Sequence, residues 1–592
     1  MNKGIAHYIG TAIGYLLIPV LIYWFTGWLI HFVLDAIGLH KFAALGKLAG
    51  FVEDWGALAA ALWCLYIIVM GKINQPANAG IGKASTTVKT KLKVKNSVYT
   101  IETHTPAVPR INLTNPFRGV LIIGGAGAGK SKSLIEPIIQ QTIQRGYAGL
   151  LYDFKFPTLT KVATLAMREA ANPRSMYYVN FEDLTRSHRV NPLNPATMPT
   201  QSHADEYARA ILYNLKPDAI KKGDFWTDSA HSYLTALIWF LREEHPQYCT
   251  LPHVMALAFQ PTADVVALLS TNPETRGTVA SLRESVERKA EGQTAGVVST
   301  LQTALRKINT KEIVWVLSGD DFDLNLNNPD DPKFVTLGNS PTLSNVFAPV
   351  IALLATVALK QMNQQRKTPS AVILDEAPTL FIPNFEQLPA TGRENRIATI
   401  FAAQDISQIE DIYGSIKKNG LLSNLNNQFY GRVGHPETAQ HISELWGKED
   451  VKQRTEGQNE SSRNFETTQG RSVSHSYTER SRVRIQDVLE LQTGEFYGQL
   501  VDSDFSSFKA QIKAEESGPL PEIVPVTLVT AYDVKQNFLR IQAEVESLFT
   551  NQGPDRGRAT EPVTPQPITP APLNSQAKHN GQARHHDESL DF

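Results

Sequence analysis

Hydrophobic positions along this chain fall into three regimes. The first is two long apolar runs near the N-terminus. Ile13 to Leu34 has no Asp, Glu, Lys or Arg before Asp35 and carries Tyr15, Tyr23, Trp24, Phe25, Trp28 and Phe32. Trp55 to Met70 is a shorter second run. The first has the length and apolarity of a membrane-spanning helix, and the second, at 16 residues, reads as a span of marginal length. The second regime is a series of short runs that read as strands: Gly119–Ile123, Ala148–Asp153, Met176–Asn180, Phe334–Leu337, Ala371–Leu374, Ala398–Ala403, Gln428–Val433 and Phe496–Val501, of which Gly119–Ile123 and Ala371–Leu374 are wholly apolar. Such runs read as strands buried on both faces, the signature of a parallel sheet. A helix around Ala348 to Met362 fills one gap between them. In the third regime, from about 196 to 330, the strand signal stops. Leu234–Leu241, Val254–Phe259 and Val297–Leu305 read as helices.

These regimes predict an α/β chain with helices on both sheet faces, an all-α insertion and an N-terminal two-helix transmembrane hairpin. The expected divisions are 1–75 for the hairpin, 76–117 for a linker leading into the core, 118–195 and 331–550 for the two parts of the α/β domain, 196–330 for the insertion and 551–592 for a disordered tail. The linker alternates basic and uncharged residues from Lys89 to Lys95, which suits an exposed strand or a membrane-surface segment. Lys452 to Arg482 is polar and reads as a mobile surface loop. Beyond Gln552 the tail is rich in Pro, Asn, Gln and His.

Composition adds little. The net charge of −1 over 592 residues gives no global nucleic-acid signature, so any such contact is confined to a local surface or an assembled pore. Two cysteines, Cys64 and Cys249, suggest neither a disulfide framework nor a metal site. Charge placement is more telling. Lys72, Lys83, Lys89, Lys91, Lys93 and Lys95 follow the second apolar run, and the positive-inside rule then puts both termini in the cytoplasm. No small-residue cleavage site follows the first run, so it reads as an anchor.

The candidate chemistry lies at two strand ends. Gly124-Gly125-Ala126-Gly127-Ala128-Gly129-Lys130-Ser131 fits the phosphate-binding loop, between a predicted strand and a predicted helix. Glycines let backbone N–H groups converge on phosphate oxygens, and the helix adds its positive end. Lys130 would reach the β- and γ-phosphates and the Ser131 hydroxyl would bind Mg²⁺. The run Ala371–Leu374 ends in Asp375 and Glu376, where open α/β sheets place ligands. Asp375 can hold Mg²⁺ and Glu376 can polarise an attacking water. Together these point to an ATPase using ATP and Mg²⁺.

The order of two spans, phosphate loop, helical insertion and Asp375-Glu376-Ala377 resembles the type IV secretion coupling proteins, the TraG/TraD family of conjugation ATPases. Arg189-Val190-Asn191-Pro192-Leu193, Phe225-Trp226 followed by Ala230, Gly392-Arg393, Gln404-Asp405-Ile406-Ser407-Gln408, Thr438-Ala439-Gln440-His441-Ile442 and Leu489–Phe496 are similar to family segments. The resemblance implies that Gln404 senses the γ-phosphate and that Arg393 acts on a neighbouring subunit's nucleotide. Asp153-Phe154-Lys155 departs from the family phrase, which leaves a nucleotide role for Asp153 or Lys155 open. The resemblance further implies a RecA-like P-loop NTPase domain in a homohexameric ring on the cytoplasmic face of the inner membrane. Its expected partners are a relaxase or relaxosome, single-stranded DNA and the type IV secretion channel proteins. Two other readings remain: a secretion ATPase for protein effectors only, and a non-hydrolysing membrane scaffold with a nucleotide switch. A chromosome-segregation pump fits less well, because such pumps carry more spans and a DNA-reading C-terminal module.

Overall fold

The computed structural model describes Trp28, Phe32, Ala36 and residues 86–90, 97–463, 466–514 and 518–550. The expected spans at Ile13–Leu34 and Trp55–Met70 lie outside the described residues apart from Trp28 and Phe32, whose rings stack 5.8 Å apart. The tail from 551 also lies outside them.

A ten-stranded sheet organises the rest. Its members are β1 (Val88–Lys89), β4 (Val120–Ile123), β5 (Ala148–Asp153), β6 (Ser175–Val179), β7 (Lys333–Gly338), β8 (Ser370–Leu374), β9 (Ile397–Ala403), β10 (Asn427–Tyr430), β13 (Glu495–Gln499) and β14 (Phe505–Gln511). The spatial order is β6-β7-β5-β8-β9-β4-β10-β13-β14-β1. The first seven strands in this order are mutually parallel, and the last three add antiparallel pairs at one edge. A separate antiparallel pair, β2 (Tyr99–Glu102) and β3 (Arg110–Leu113), precedes β4.

The absence of alternation in the central strands has a simple cause: both faces are covered. In β4, Leu121 and Ile123 join the core that includes the helix Ser344–Met362 and the helical insertion. Val120 and Ile122 face the opposite core, with the helices Glu136–Gln144 and Thr158–Glu169. Ser344–Met362 is, among the described residues, the one helix long and apolar enough to cross a membrane. Its most apolar window is 78% buried inside the protein, as a core helix requires.

Between β6 and β7 the described chain is helical with no strand. The helix Phe225–Glu244 starts where the Asp224 carboxylate accepts the Thr227 backbone N–H (3.0 Å), and it buries an apolar stripe from Ala230 to Leu241. The helix Ala531–Thr550 falls within the expected second core segment, yet it packs on Leu251–Ala258 and Lys311–Leu317 of the insertion. Asn537 donates to Ser318 Oγ (2.9 Å), and His253 Nε2 meets Glu544 Oε2 at 2.9 Å. The intervening strap is tied to the β6 side, where Arg186 Nε donates to the Ile523 carbonyl (2.7 Å) and Lys161 pairs with Glu522 (2.5 Å).

Lys452–Arg482 is not a loop. β11 (Lys448–Arg463) and β12 (Glu466–Ser481) form a continuous antiparallel ladder from the Lys448–Ser481 pair to the Arg463–Glu466 pair. At roughly 3.3 Å per residue this hairpin extends about 50 Å. A ladder closes backbone hydrogen bonds without burying side chains, so a polar sequence can form one and hydropathy does not announce it.

Candidate functional site

The phosphate loop joins the C-terminal end of β4 to a helical turn, Ser131–Ile135, that continues into the helix from Glu136. Its conformation explains its glycines. Gly127 (φ 75°) and Gly129 (φ 92°) lie in the left-handed region. A Cβ on Gly129 would also stand 2.9 Å from the Gly494 backbone nitrogen. The loop is held from outside by three chain segments. Thr493 Oγ1 donates to the Gly127 carbonyl (2.9 Å) and Gly494 N–H to the Ala128 carbonyl (3.0 Å). Gly125 N–H donates to the Arg432 carbonyl (2.7 Å). Gly124 N–H donates to the Ala403 carbonyl (3.2 Å), which ties the loop to β9.

Lys130 is 6% exposed. Its Nζ donates to the Gly124 carbonyl (2.5 Å) and lies 3.5 Å from Glu376 Oε1. The two motifs, separated by most of the core in sequence, therefore meet. Asp375 directly follows β8, with its N–H donating to the Tyr152 carbonyl (3.2 Å). Glu376 follows in the left-handed region at φ 51° and ψ 48°. For a non-glycine residue this conformation costs roughly 1–3 kcal/mol and persists only where the surroundings impose it. Thr379 Oγ1 donates to the Glu376 carbonyl (2.7 Å) and also meets Tyr152 OH at 2.7 Å, which fixes the turn.

The acids are crowded. Burial, then the neighbouring Glu376 and Asp153 carboxylates, push the Asp375 carboxyl up to about 7, while Lys130 and Lys155 pull it down. Asp153 is pushed up to about 6 by burial, against hydrogen bonds from Thr160 and neighbouring amides. Its Oδ2 accepts from Thr160 N–H and Oγ1 (both 2.9 Å), whereas its buried Oδ1 has no hydrogen-bond partner. Asp153 thus braces the start of the helix Thr158–Glu169 and adds negative charge beside Asp375. Lys155 opposes that charge.

Beside the loop opens a cleft of about 780 Å³, bounded by Gly125, Ala126, Gln404, Arg432 and His435 among others. Gln404 enters it from the C-terminal end of β9, as its place after Ala398–Ala403 predicts. Arg432 and His435 carried no signal strong enough to single them out. The available sign was positional: Gly431-Arg432-Val433-Gly434 follows β10, the strand directly beside β4. A guanidinium nitrogen of the exposed Arg432 lies 3.9 Å from where a Cβ on Gly127 would sit, so a cation stands beside the loop. Arg393 is elsewhere. It is exposed and precedes β9, at the other end of that strand from Gln404. The seven residues of β9 separate the two by about 23 Å. Within one chain Arg393 does not reach the phosphate loop.

The arrangement supplies a phosphate cradle, a buried acid pair and polar side chains at the C-terminal ends of the central strands. The profile of the type IV secretory system conjugative DNA transfer family matches residues 72–496. No curated protein matches the sequence. Several solved structures share the fold. The plasmid coupling protein TrwB in complex with a non-hydrolysable ATP analogue superposes with a TM-score of 0.55 at 14% identity, over 76% of this chain and 99% of that one. TrwB in complex with ADP and Mg²⁺ gives 0.54 at 14%, over 76% and 97%. The unbound bacterial conjugative coupling protein TrwBdeltaN70 gives 0.54 at 15%, over 72% and 91%.

Proposed function

Because the chain belongs to the type IV secretory system conjugative DNA transfer family, we propose that it is an inner-membrane ATPase that couples a relaxase–single-stranded DNA complex to the secretion channel and drives its export. The observation that carries this reading is the meeting of Lys130 with Glu376 beneath the phosphate loop, 3.5 Å apart. A phosphate-binding cation and a candidate water-orienting carboxylate stand together at the end of the central strands.

In this reading the loop amides and Lys130 bind the phosphates of ATP. Glu376 orients the attacking water and accepts its proton, and Gln404 bridges a phosphate oxygen and that water. Arg432 adds positive charge from the same chain. Arg393 serves a neighbouring subunit in a homohexameric ring, where a guanidinium fork matches charge spreading over phosphoryl oxygens. The residues present fit Mg²⁺: Ser131 offers a hydroxyl, and Asp375 is a buried carboxylate crowded by two others, which a divalent cation would relieve. When bound, Mg²⁺ would neutralise phosphate charge. The TrwB complex with ADP and Mg²⁺ supports the same ligands here. The N-terminal runs would anchor the chain, leaving the ATPase in the cytoplasm.

The test is ATP turnover of the full chain with and without single-stranded DNA at two salt concentrations. Stimulation that weakens with salt is expected for phosphate-directed contacts. Turnover indifferent to DNA would move the reading to protein cargo. Nucleotide binding without turnover would make the protein a switch.

A further inference from the structure

Five residues beyond Glu376, the backbone is clamped from two directions. Asn214, near the end of the insertion helix Gln201–Leu215, pairs both ends of its amide with one residue. Its Nδ2 donates to the Phe381 carbonyl (2.7 Å) and its Oδ1 accepts the Phe381 N–H (2.9 Å). The same Nδ2 is steadied by the Ala210 carbonyl (2.7 Å). Tyr413 holds the flanking peptides. Its hydroxyl donates to the Leu380 carbonyl (3.0 Å) and accepts from Ile382 N–H (3.3 Å). Tyr413 sits on the helix Ile406–Asn424, which begins just after Gln404. The Phe381 ring lies between Tyr213 (5.8 Å) and Tyr413 (5.6 Å).

The segment Leu380–Ile382 is therefore a junction of three parts: the turn that presents Glu376, the helix that follows Gln404, and the insertion. We infer that Asn214 is a positioning residue that transmits displacement of the insertion to Glu376, and of the nucleotide site to the insertion. The physical argument is one of constraint. A side-chain amide pairing with both polar groups of one residue cannot slide without breaking two hydrogen bonds in a partly buried setting, where unmade bonds are costly. Between Phe381 and Glu376 the chain has little slack, because the turn Ala377–Thr379 is pinned through Thr379 to Tyr152 and to the Glu376 carbonyl. Glu376 itself holds a left-handed conformation that relaxes if its surroundings let go. A small shift of Gln201–Leu215 would thus alter where its carboxylate points.

This inference rests on the nucleotide reading above, and one experiment separates the two. Hydrogen–deuterium exchange is measured on the full chain in lipid nanodiscs, with and without a non-hydrolysable ATP analogue and Mg²⁺. In the wild type, the analogue is expected to change exchange at 124–131, at 377–382 and at 201–215. In Asn214→Ala the changes at 124–131 and 377–382 remain, and the change at 201–215 disappears. Steady-state turnover of the same variant should show a severalfold lower kcat with KM for ATP within about twofold of wild type. A change at 201–215 that survives in Asn214→Ala overturns the inference, as does its absence from the wild type when 124–131 responds. No response at 124–131 in the wild type removes the nucleotide reading and this inference with it. If Asn214→Ala does not fold, Asn214→Asp keeps the acceptor for Phe381 N–H and loses the donor, and the same outcomes decide.

Discussion

Lys130 Nζ and Glu376 Oε1 stand 3.5 Å apart in a pocket that leaves the lysine 6% exposed. Each group is the nearest compensation for the other, so a change to either alters both phosphate binding and the charge around Asp375.

Replacing Lys130 with Ala removes the cation that the loop and the acid pair share. We expect turnover to fall by roughly 10²-fold or more, the scale of losing one preorganised contact to developing charge. Nucleotide affinity should weaken as well. Titration with a fluorescent ATP analogue and a phosphate-release assay check both, and normal turnover would remove the site assignment.

Glu376→Gln keeps the side chain's size and removes its basicity. Nucleotide binding should persist while turnover drops by roughly 10²- to 10⁴-fold, the usual share of a general base. Single-turnover kinetics distinguish this from slow product release. Persistent turnover would place the base elsewhere.

Arg432→Ala takes away the cation beside Gly127 without touching the loop's own hydrogen bonds, since the Gly125 N–H uses the Arg432 backbone carbonyl. A charged hydrogen bond is worth about 1.5–3 kcal/mol, so KM for ATP should rise roughly ten- to a hundredfold. An unchanged KM would mean that the guanidinium faces solvent throughout the cycle.

Arg393→Ala should abolish turnover in a uniform assembly and allow partial recovery when mixed with a Lys130→Ala chain. In such a mixture some interfaces combine an intact phosphate loop with an intact arginine. If no mixing ratio restores activity, the neighbouring-subunit role is wrong.

His253 gives a pH prediction for the docked helix Ala531–Thr550. Burial holds its imidazole below the ordinary 6.5; the Glu544 carboxylate pulls the other way and Arg540 adds to the lowering. Its Nδ1 meets Thr250 Oγ1 at 2.7 Å. The unfolded chain therefore takes up this proton first as pH falls. The contribution of His253 to stability is full above about 6.5 and declines as pH drops below it. Urea unfolding at pH 5 and pH 8 should show a smaller pH dependence in His253→Gln than in the wild type. An equal or steeper dependence would contradict the sign.

The sheet was legible because its chemistry is repetitive. Val120–Ile123 and Ala371–Leu374 are apolar at every position, and Ala398–Ala403 at every position but the buried Thr399, since each strand is covered on both faces. The loop and the acid pair were legible because phosphate binding demands glycine and lysine at fixed spacing. Three things were not. β14 mixes Phe505, Phe508 and Ala510 with polar residues out of strict alternation, and such a strand resembles a loop in sequence. The long hairpin β11–β12 depends on backbone pairing that leaves no apolar trace. Arg432 sits at the site only because β10 inserts beside β4, a neighbour relation that pattern alone does not reveal. The partner of Asn214 was hidden for the same reason, since 167 positions separate it from Phe381.

The return of Ala531–Thr550 to the insertion has a mechanical consequence. An insertion joined to its host at two points can swing about the line between them. Here a third tether, anchored through Glu522 and Ile523 at the β6 edge and seated beside Ser318 and His253, resists that swing. The strap is held along its length, with Val526 N–H also donating to the Thr185 carbonyl (2.9 Å), so few residues separate this anchorage from the helix at Ala531. Any displacement of the insertion away from the β6 side would have to break those contacts or unseat the helix Ala531–Thr550.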